Sequence, residues 1–177
     1  YKNDSILISY KTLNKDNPKL NCRLKGLEKF SPKRIILDNK LNTNTNSYLF
    51  KTANKENTIF FYNEAHKSKI LEFKKSKITL VKSNINNNKK FNPTIIFKKL
   101  YTLGCRNILV EGGDELTKNF IRNRIFNQFF LFKGSKDLSK SFEFKEFSGL
   151  KILKKNYKKR LKIHSNFGKD TITLYKN

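Results

Sequence analysis

Short apolar runs of four to six residues recur along an otherwise polar chain. Ser5–Tyr10 (SILISY), Arg34–Asp38 (RIILD), Thr58–Tyr62 (TIFFY), Ile78–Val81 (ITLV) and Asn107–Val110 (NILV) all read as strands. The first reads as a buried strand, and the last as buried on both faces. Tyr48–Phe50 is a further short strand candidate. Glu64–Lys75 fits a helix with Ile70, Leu71 and Phe73 turned inward. Asn92-Pro93 is helix-start chemistry, with Asn as cap and Pro at the first helical position. Ile95, Ile96, Leu100 and Leu103 then follow at helical spacing, and Gly104 suits a C-terminal stop. Glu115–Asn123 reads as a helix with Leu116, Phe120 and Ile121 on one side, and Phe129–Phe132 as a very apolar strand. Arg160–His164 and Thr171–Tyr175 alternate around Asn166-Phe167-Gly168, the pattern of an antiparallel hairpin. Residues 11–23, 42–47 and 84–89 are polar connections. Strands alternating with helices predict an α/β fold: one domain over 1–177, with a mixed sheet flanked by helices and a C-terminal hairpin. No repeat, linker or internal boundary is visible.

Composition bounds the function. Lys and Arg number 39 against 14 Asp and Glu, a formal charge of +25. Such a charge invites nucleic acid, because bound phosphates release counterions. The excess is almost all Lys, however, and it runs from Lys2 to Lys176 without forming a stripe or tail. Asn, Ile and Phe are also abundant while Gly and Pro are scarce, as A/T-rich codon usage would produce. Nucleic acid is therefore not the expected partner, although the charge would concentrate anionic small molecules. The 16 Phe and 7 Tyr are enough to build a core and argue against a disordered chain. No apolar run approaches the ~20 residues of a membrane span, so no membrane association is expected. Cys22 and Cys105 read as ordinary reduced thiols, and His66 and His164 lack metal-site spacing, so no metal is assigned. The chain opens at Tyr1 and contains no Met, which points to a fragment or a processed product.

Two segments carry chemistry. In the first, Asn107–Val110 runs into Glu111, then Gly112-Gly113, then a helix. Ligands of open α/β sheets bind outside the carboxyl ends of the strands. Glycines let a backbone approach a phosphate closely, and the first turn of a helix offers N–H groups and partial positive charge. Gly112, Gly113 and the amides of residues 114–119 would thus form a diphosphate cradle, with Glu111 as an acceptor in the cleft; a plain strand–turn–helix connection is the alternative. The second segment is Thr12-Leu13-Asn14-Lys15-Asp16-Asn17-Pro18-Lys19-Leu20-Asn21-Cys22-Arg23. It follows a strand, with Asp16-Asn17-Pro18 as turn chemistry. Thr12 supplies a hydroxyl, Asp16 an acceptor and Arg23 a planar fork for phosphate; an ordinary solvated loop is the alternative.

Together the two segments resemble the reductase domain of the bifunctional riboflavin-biosynthesis proteins, the RibD family. That family carries T-x-x-x-D-(D/N)-P-x-L-x-x-R after a strand, then R-I-I-L-D, and later L-V-E-G-G-x-x-L. Here the positions are Thr12, Asp16, Asn17, Pro18, Leu20 and Arg23; Arg34–Asp38; and Leu109-Val110-Glu111-Gly112-Gly113 with Leu116. The match in order and spacing runs from about Asp4 to Phe132.

The resemblance implies a dihydrofolate-reductase-like fold and NADPH as cofactor. It implies reduction of the ribosyl group of a phosphorylated pyrimidine-ribosylamine to a ribityl chain. It assigns Thr12, Asp16, Asn39 and the segment Gly113, Asp114, Glu115, Leu116, Thr117, Lys118 and Asn119 to the cofactor, and Leu20, Arg23 and Glu111 to the substrate. Asp16 is the group expected to orient the reactants or assist proton delivery. Asp114 and Glu115 stand where the family often has a neutral residue and a hydroxyl. They would repel a diphosphate, but acids in a first helical turn are favourable by about 0.3–1 kcal/mol. The resemblance further implies a cytoplasmic homodimer. It also implies that the start of the reductase domain and a preceding deaminase domain are missing, since no H-x-E with P-C-x-x-C occurs. A dihydrofolate- or pyrimidine-type reductase of the same fold, or a basic nucleic-acid-binding domain, are the competing readings.

Overall fold

The computed structural model describes residues 2–135, 147–163 and 168–177. Backbone contacts group the chain into two compact units, Tyr1–Gly113 and Asp114–Asn177.

The first unit contains β1 (Ser5–Ser9), α1 (Tyr10–Asp16), β2 (Lys33–Leu37), α2 (Tyr48–Lys51), β3 (Thr58–Tyr62), α3 (Lys67–Lys75), β4 (Thr79–Lys82), α4 (Pro93–Thr102) and β5 (Ile108–Val110). The strands lie in the order β4-β3-β2-β1-β5, and each pair is parallel. Parallel neighbours need crossovers, and crossovers cover both faces, so the central strands are apolar on both sides. The register shows this. Ile8, Ile36, Phe60 and Leu80 form one row across four strands. That row packs with Leu13, Leu49, Phe50 and Phe73. Phe73 meets Phe50 and Phe60 edge-on, with ring centroids 4.9 and 5.2 Å apart. Leu7, Ile35 and Ile59 form the row on the opposite face and are equally buried.

Several sequence expectations change here. Residues 10–16 form a helix instead of a polar connection: Ser9 caps its start and Asn17 closes it in the left-handed conformation, φ 42°. Tyr48–Phe50 is helical, because Ser47 caps it and accepts the Phe50 N–H. Leu71 points to solvent while Phe73 is buried, since neighbouring helical residues are rotated by about 100° and only Ile70 shares the Phe73 face. Ile95 is likewise exposed and Ile96 and Leu100 are buried. β5 is an edge strand rather than a doubly buried one, and Leu109 is 45% exposed. The expected Asn92 cap, Pro93 start and Gly104 stop (φ 84°) are all in place.

The second unit contains α5 (Asp114–Arg122), β6 (Gln128–Lys133), α6 (Leu150–Asn156), β7 (Arg160–Ile163) and β8 (Thr171–Lys176). β7 and β8 pair antiparallel as the sequence predicts, and β6 pairs antiparallel on the other side of β8. Asn166-Phe167 of the expected hairpin turn lies outside the described residues. The parallel and antiparallel ladders thus form two sheets of an α/β fold. One sheet face packs Phe129, Leu131 and Tyr175 against Ile121, Leu153 and Tyr157. The Tyr157 hydroxyl donates to the Ile121 carbonyl at 2.9 Å. The other face carries Phe130, Phe132 and Leu161, exposed by 45, 70 and 59%.

Buried polar groups hold the first unit together. Arg34 is 6% exposed, at the start of β2. Its guanidinium donates to the Thr58 hydroxyl (2.8 and 3.1 Å), the Thr52 hydroxyl (2.8 Å), the Thr52 carbonyl (2.9 Å) and Asn57 Oδ1 (2.9 Å). Every one of these acceptors is neutral. Arg34→Leu would strand several of them in the interior. We expect a loss of about 2–3 kcal/mol in urea denaturation, only partly restored by Lys, which lacks the fork.

Asp4 joins β1 to β5. Its Oδ2 accepts the Arg106 and Asn107 amides at 2.7 and 2.8 Å. Burial raises its pKa, but the two amides, the Ser5 hydroxyl and the Arg106 charge together outweigh that and leave the carboxyl below its ordinary value. A depressed folded-state pKa contributes stability above the unfolded pKa, and that contribution disappears as pH falls through the folded value. The stability gap between wild type and Asp4→Ala should therefore be full at neutral pH and close as pH drops below about 4. Chemical denaturation across a pH series reads this directly.

Candidate active site

All carboxyl ends of a parallel sheet open on one edge, and three consecutive strands place candidate residues there. After β1, the Ser9 hydroxyl accepts the Thr12 amide (3.3 Å) and lies 3.1 Å from the Thr12 hydroxyl. Leu13 is fully buried and anchors α1 to the core. Asp16 is the last residue of α1 and is exposed. Leu20 is half-buried against the same core, with φ 47°. A left-handed backbone is uncommon for a bulky residue, and strain of this kind gathers at functional sites. Arg23 is exposed in the following loop, next to Cys22, whose amide donates to the Ser31 hydroxyl at 3.1 Å.

After β2, Asp38 is fully buried. Its carboxylate accepts the Asn42 amide (2.9 Å), the Thr43 amide (2.7 Å) and the Thr43 hydroxyl (2.8 Å). Those bonds shape the loop that starts at half-buried Asn39. The Asn39 carbonyl accepts the amides of Asn63 and Glu64, both at 3.0 Å, so the ends of β2 and β3 are tied together. The loop is also bound to α1. Asn14 Nδ2 donates to the Asn42 carbonyl (3.0 Å), and Asn14 Oδ1 accepts the Asn44 amide (2.8 Å). Asn17 Oδ1 accepts the Tyr48 amide at 2.8 Å.

After β5, the Glu111 amide donates to the Leu7 carbonyl at 3.0 Å, which places Glu111 beside the carboxyl end of β1. Its side chain is exposed. A Cβ built on Gly113 would meet nothing within 4 Å, leaving room for a ligand to approach the backbone.

Asp114 to Asn119 begin the second unit as the first turns of α5. The Asp114 carboxylate accepts the Ser148 amide (3.0 Å) and hydroxyl (2.7 Å), and it lies 3.4 Å from Lys118 Nζ. The Ser148 hydroxyl holds the Asp114 pKa below its ordinary value; partial burial opposes this and Lys118 assists it. Lys118 also pairs with Glu115 at 3.3 Å. Both acids thus share one cation, which offsets part of the negative charge expected to repel a diphosphate. Leu116, Thr117 and Asn119 are half-buried.

The structure therefore gathers Thr12, Asn39 and Glu111 at the ends of β1, β2 and β5, with Asp16 and Leu20 on the chain that leaves β1. Arg23 lies seven residues beyond α1 in its own loop. Sequence reading overlooked Ser9, Asn14, Asp38 and Ser148. Asp38 had a signal, an acid at a strand end with a Thr five residues on. Asn14 and Ser148 had none, because their partners are 28 to 34 residues away. The edge offers the Ser9 and Thr12 hydroxyls, the Asn39 side chain and the Glu111 carboxylate, donors and acceptors suited to a hydroxylated ligand.

The family model described as the RibD C-terminal domain matches residues 1–172. The riboflavin biosynthesis protein RibD of Aquifex aeolicus (strain VF5) is 26% identical over 172 residues, which are 97% of this chain and 46% of that protein. The chain thus spans about half the length of this curated relative. Two solved structures share the fold over 98% of the chain. The riboflavin biosynthesis reductase Rib7 of Saccharomyces cerevisiae has a TM-score of 0.69 at 21% identity, with 75% of its chain covered. The Thermotoga maritima diaminohydroxyphosphoribosylaminopyrimidine deaminase/5-amino-6-(5-phosphoribosylamino)uracil reductase has 0.68 at 22%, with 45% covered. This chain belongs to the RibD C-terminal domain family.

Proposed function

We propose that the chain is the reductase of a riboflavin pathway, reducing the ribosyl group of 5-amino-6-(5-phosphoribosylamino)uracil to the ribityl chain with NADPH. Family membership supports the reading. The observation that carries it is the edge itself: three separate stretches of chain bring Thr12, Asn39 and Glu111 to the ends of adjacent strands. Both units belong to one reductase domain in this reading, acting in the cytoplasm.

The residues present fit the cofactor: Gly113 is unobstructed and Asn39 sits in a braced loop. Thr12, Asp16, Asn39 and the segment Gly113–Asn119 would hold it, and Leu20, Arg23 and Glu111 the substrate. When bound, the nicotinamide supplies the hydride. The chain's own tasks are binding and orientation. Arg23 grips the substrate phosphate through its planar fork. Glu111 accepts from substrate donors beside β1. Asp16 orients the sugar and moves a proton at its carboxylate oxygen.

A titration with NADPH should saturate, and the pyrimidine should be turned over with loss of NADPH absorbance. Asp16→Ala should lower kcat by about 10²-fold or more. Arg23→Ala should instead act mainly on the substrate KM, raising it about tenfold or more. Full turnover by Asp16→Ala would remove its catalytic role.

The homodimer is part of the same proposal. Phe130, Phe132 and Leu161 present an apolar outer face on the β6-β8-β7 sheet, and a second copy is the occupant that would cover it. Sedimentation should show a dimer for wild type and a monomer for Phe132→Asp.

A further inference from the structure

We propose that Asn14 is a positioning residue for the cofactor, a clasp that fixes α1 to the loop after β2 so that Thr12 and Asp16 meet the ligand together with Asn39. This inference rests on the function proposed above.

The clasp runs in both directions through one side chain. Asn14 donates to the Asn42 carbonyl and accepts the Asn44 amide, so its amide is used at both ends. Asn17, three residues on and on the same helical face, accepts the Tyr48 amide and extends the contact. Asp38 holds the same stretch from the β2 side, through the Asn42 and Thr43 amides and the Thr43 hydroxyl. Asn39 therefore sits in a loop braced from two sides.

Geometry also separates Asn14 from the ligand-facing side. Thr12 and Asp16 are four residues apart and share a helix face. Asn14 is two residues from each, about 200° around the axis. It holds the loop while leaving the Thr12–Asp16 face clear. The clasp matters because α1 has only seven residues and would not persist on its own. Leu13 and half-buried Tyr10 pack α1 against the core, but apolar contacts are non-directional and leave the helix freedom to shift. Asn14 and Asn17 remove that freedom. Without them only a fraction of molecules would hold both ligand-binding segments in place, and apparent affinity falls by that fraction.

The test is equilibrium NADPH binding by the full chain, followed by steady-state kinetics. Asn14→Ala should raise the NADPH dissociation constant about tenfold, the equivalent of two lost hydrogen bonds. kcat at saturating cofactor should fall by less. Asn14→Asp, which keeps the acceptor for the Asn44 amide, should recover part of the affinity. Asn17→Gly, which tolerates the left-handed backbone but lacks the acceptor, should weaken binding in the same sense. Amide exchange at Asn44 should quicken in Asn14→Ala. A folded Asn14→Ala protein with wild-type NADPH affinity would overturn the clasp alone. A proportional rise in both cofactor and substrate constants would also overturn it, as general destabilisation. Failure of the wild type to bind NADPH would overturn the functional reading, and the cofactor role of Asn14 with it.

Discussion

Parallel pairing of β1 with both β2 and β5 is the constraint on which the first unit depends. Ser5 lies opposite Lys33 on one side and Ile108 on the other, so the three strands start together and point the same way. Their carboxyl ends must then open on one edge, and whatever follows each strand is delivered there. The cost is that each return to the start of the next strand needs a crossover over a sheet face. Those crossovers bury the SILIS, KRIIL and TIFFY runs on both sides, and burial of that apolar surface is the main drive for the unit.

β2 shows how polar groups are used at the two ends of one buried strand. Arg34 stands at its amino end and satisfies its fork with neutral oxygens of Thr52, Asn57 and Thr58. Asp38 stands just past its carboxyl end and satisfies both oxygens with loop donors. The two do not neutralise each other; each organises the loop nearest to it. An unmatched polar group at this depth would cost about 1–3 kcal/mol, so both loops are held in one conformation. The loop organised by Asp38 is the one that carries Asn39.

The second unit solves a different problem. Among the described residues, one face of its antiparallel sheet packs Phe129, Leu131 and Tyr175 against its own helices, while the other carries the exposed Phe130, Phe132 and Leu161. Asp114 and Lys118 at the start of α5 are tied to Ser148, which brings the turn before α6 to that helix. The lysines behind the net charge of +25 run through the sequence of both units, from Lys2 to Lys176.

Much of this was legible before any coordinates. Five apolar runs became the five parallel strands, and Asn92-Pro93 with Gly104 bounded a helix, because caps and hydrophobic runs act within a few residues. The Thr12–Arg23 and Leu109–Leu116 patterns named candidate residues only through their resemblance to one family, since local pattern alone fits an ordinary loop equally well. What local pattern could not supply was the surroundings of a residue. Tyr48–Phe50 looks like a strand until Ser47 and Asn17 cap it as a helix. Leu109 looks buried until β5 proves to be an edge. Asn14 looks like one polar residue among many until the chain brings residues 42–44 against it. The amino-acid order alone determined the five parallel strands, the antiparallel pair near the end of the sequence and helices α3 to α5, since these follow from short-range sterics and periodicity. Only the tertiary structure decided which side chains share an edge and what braces them, because hydrogen bonds between residues thirty positions apart exist only once the sheet has closed the distance.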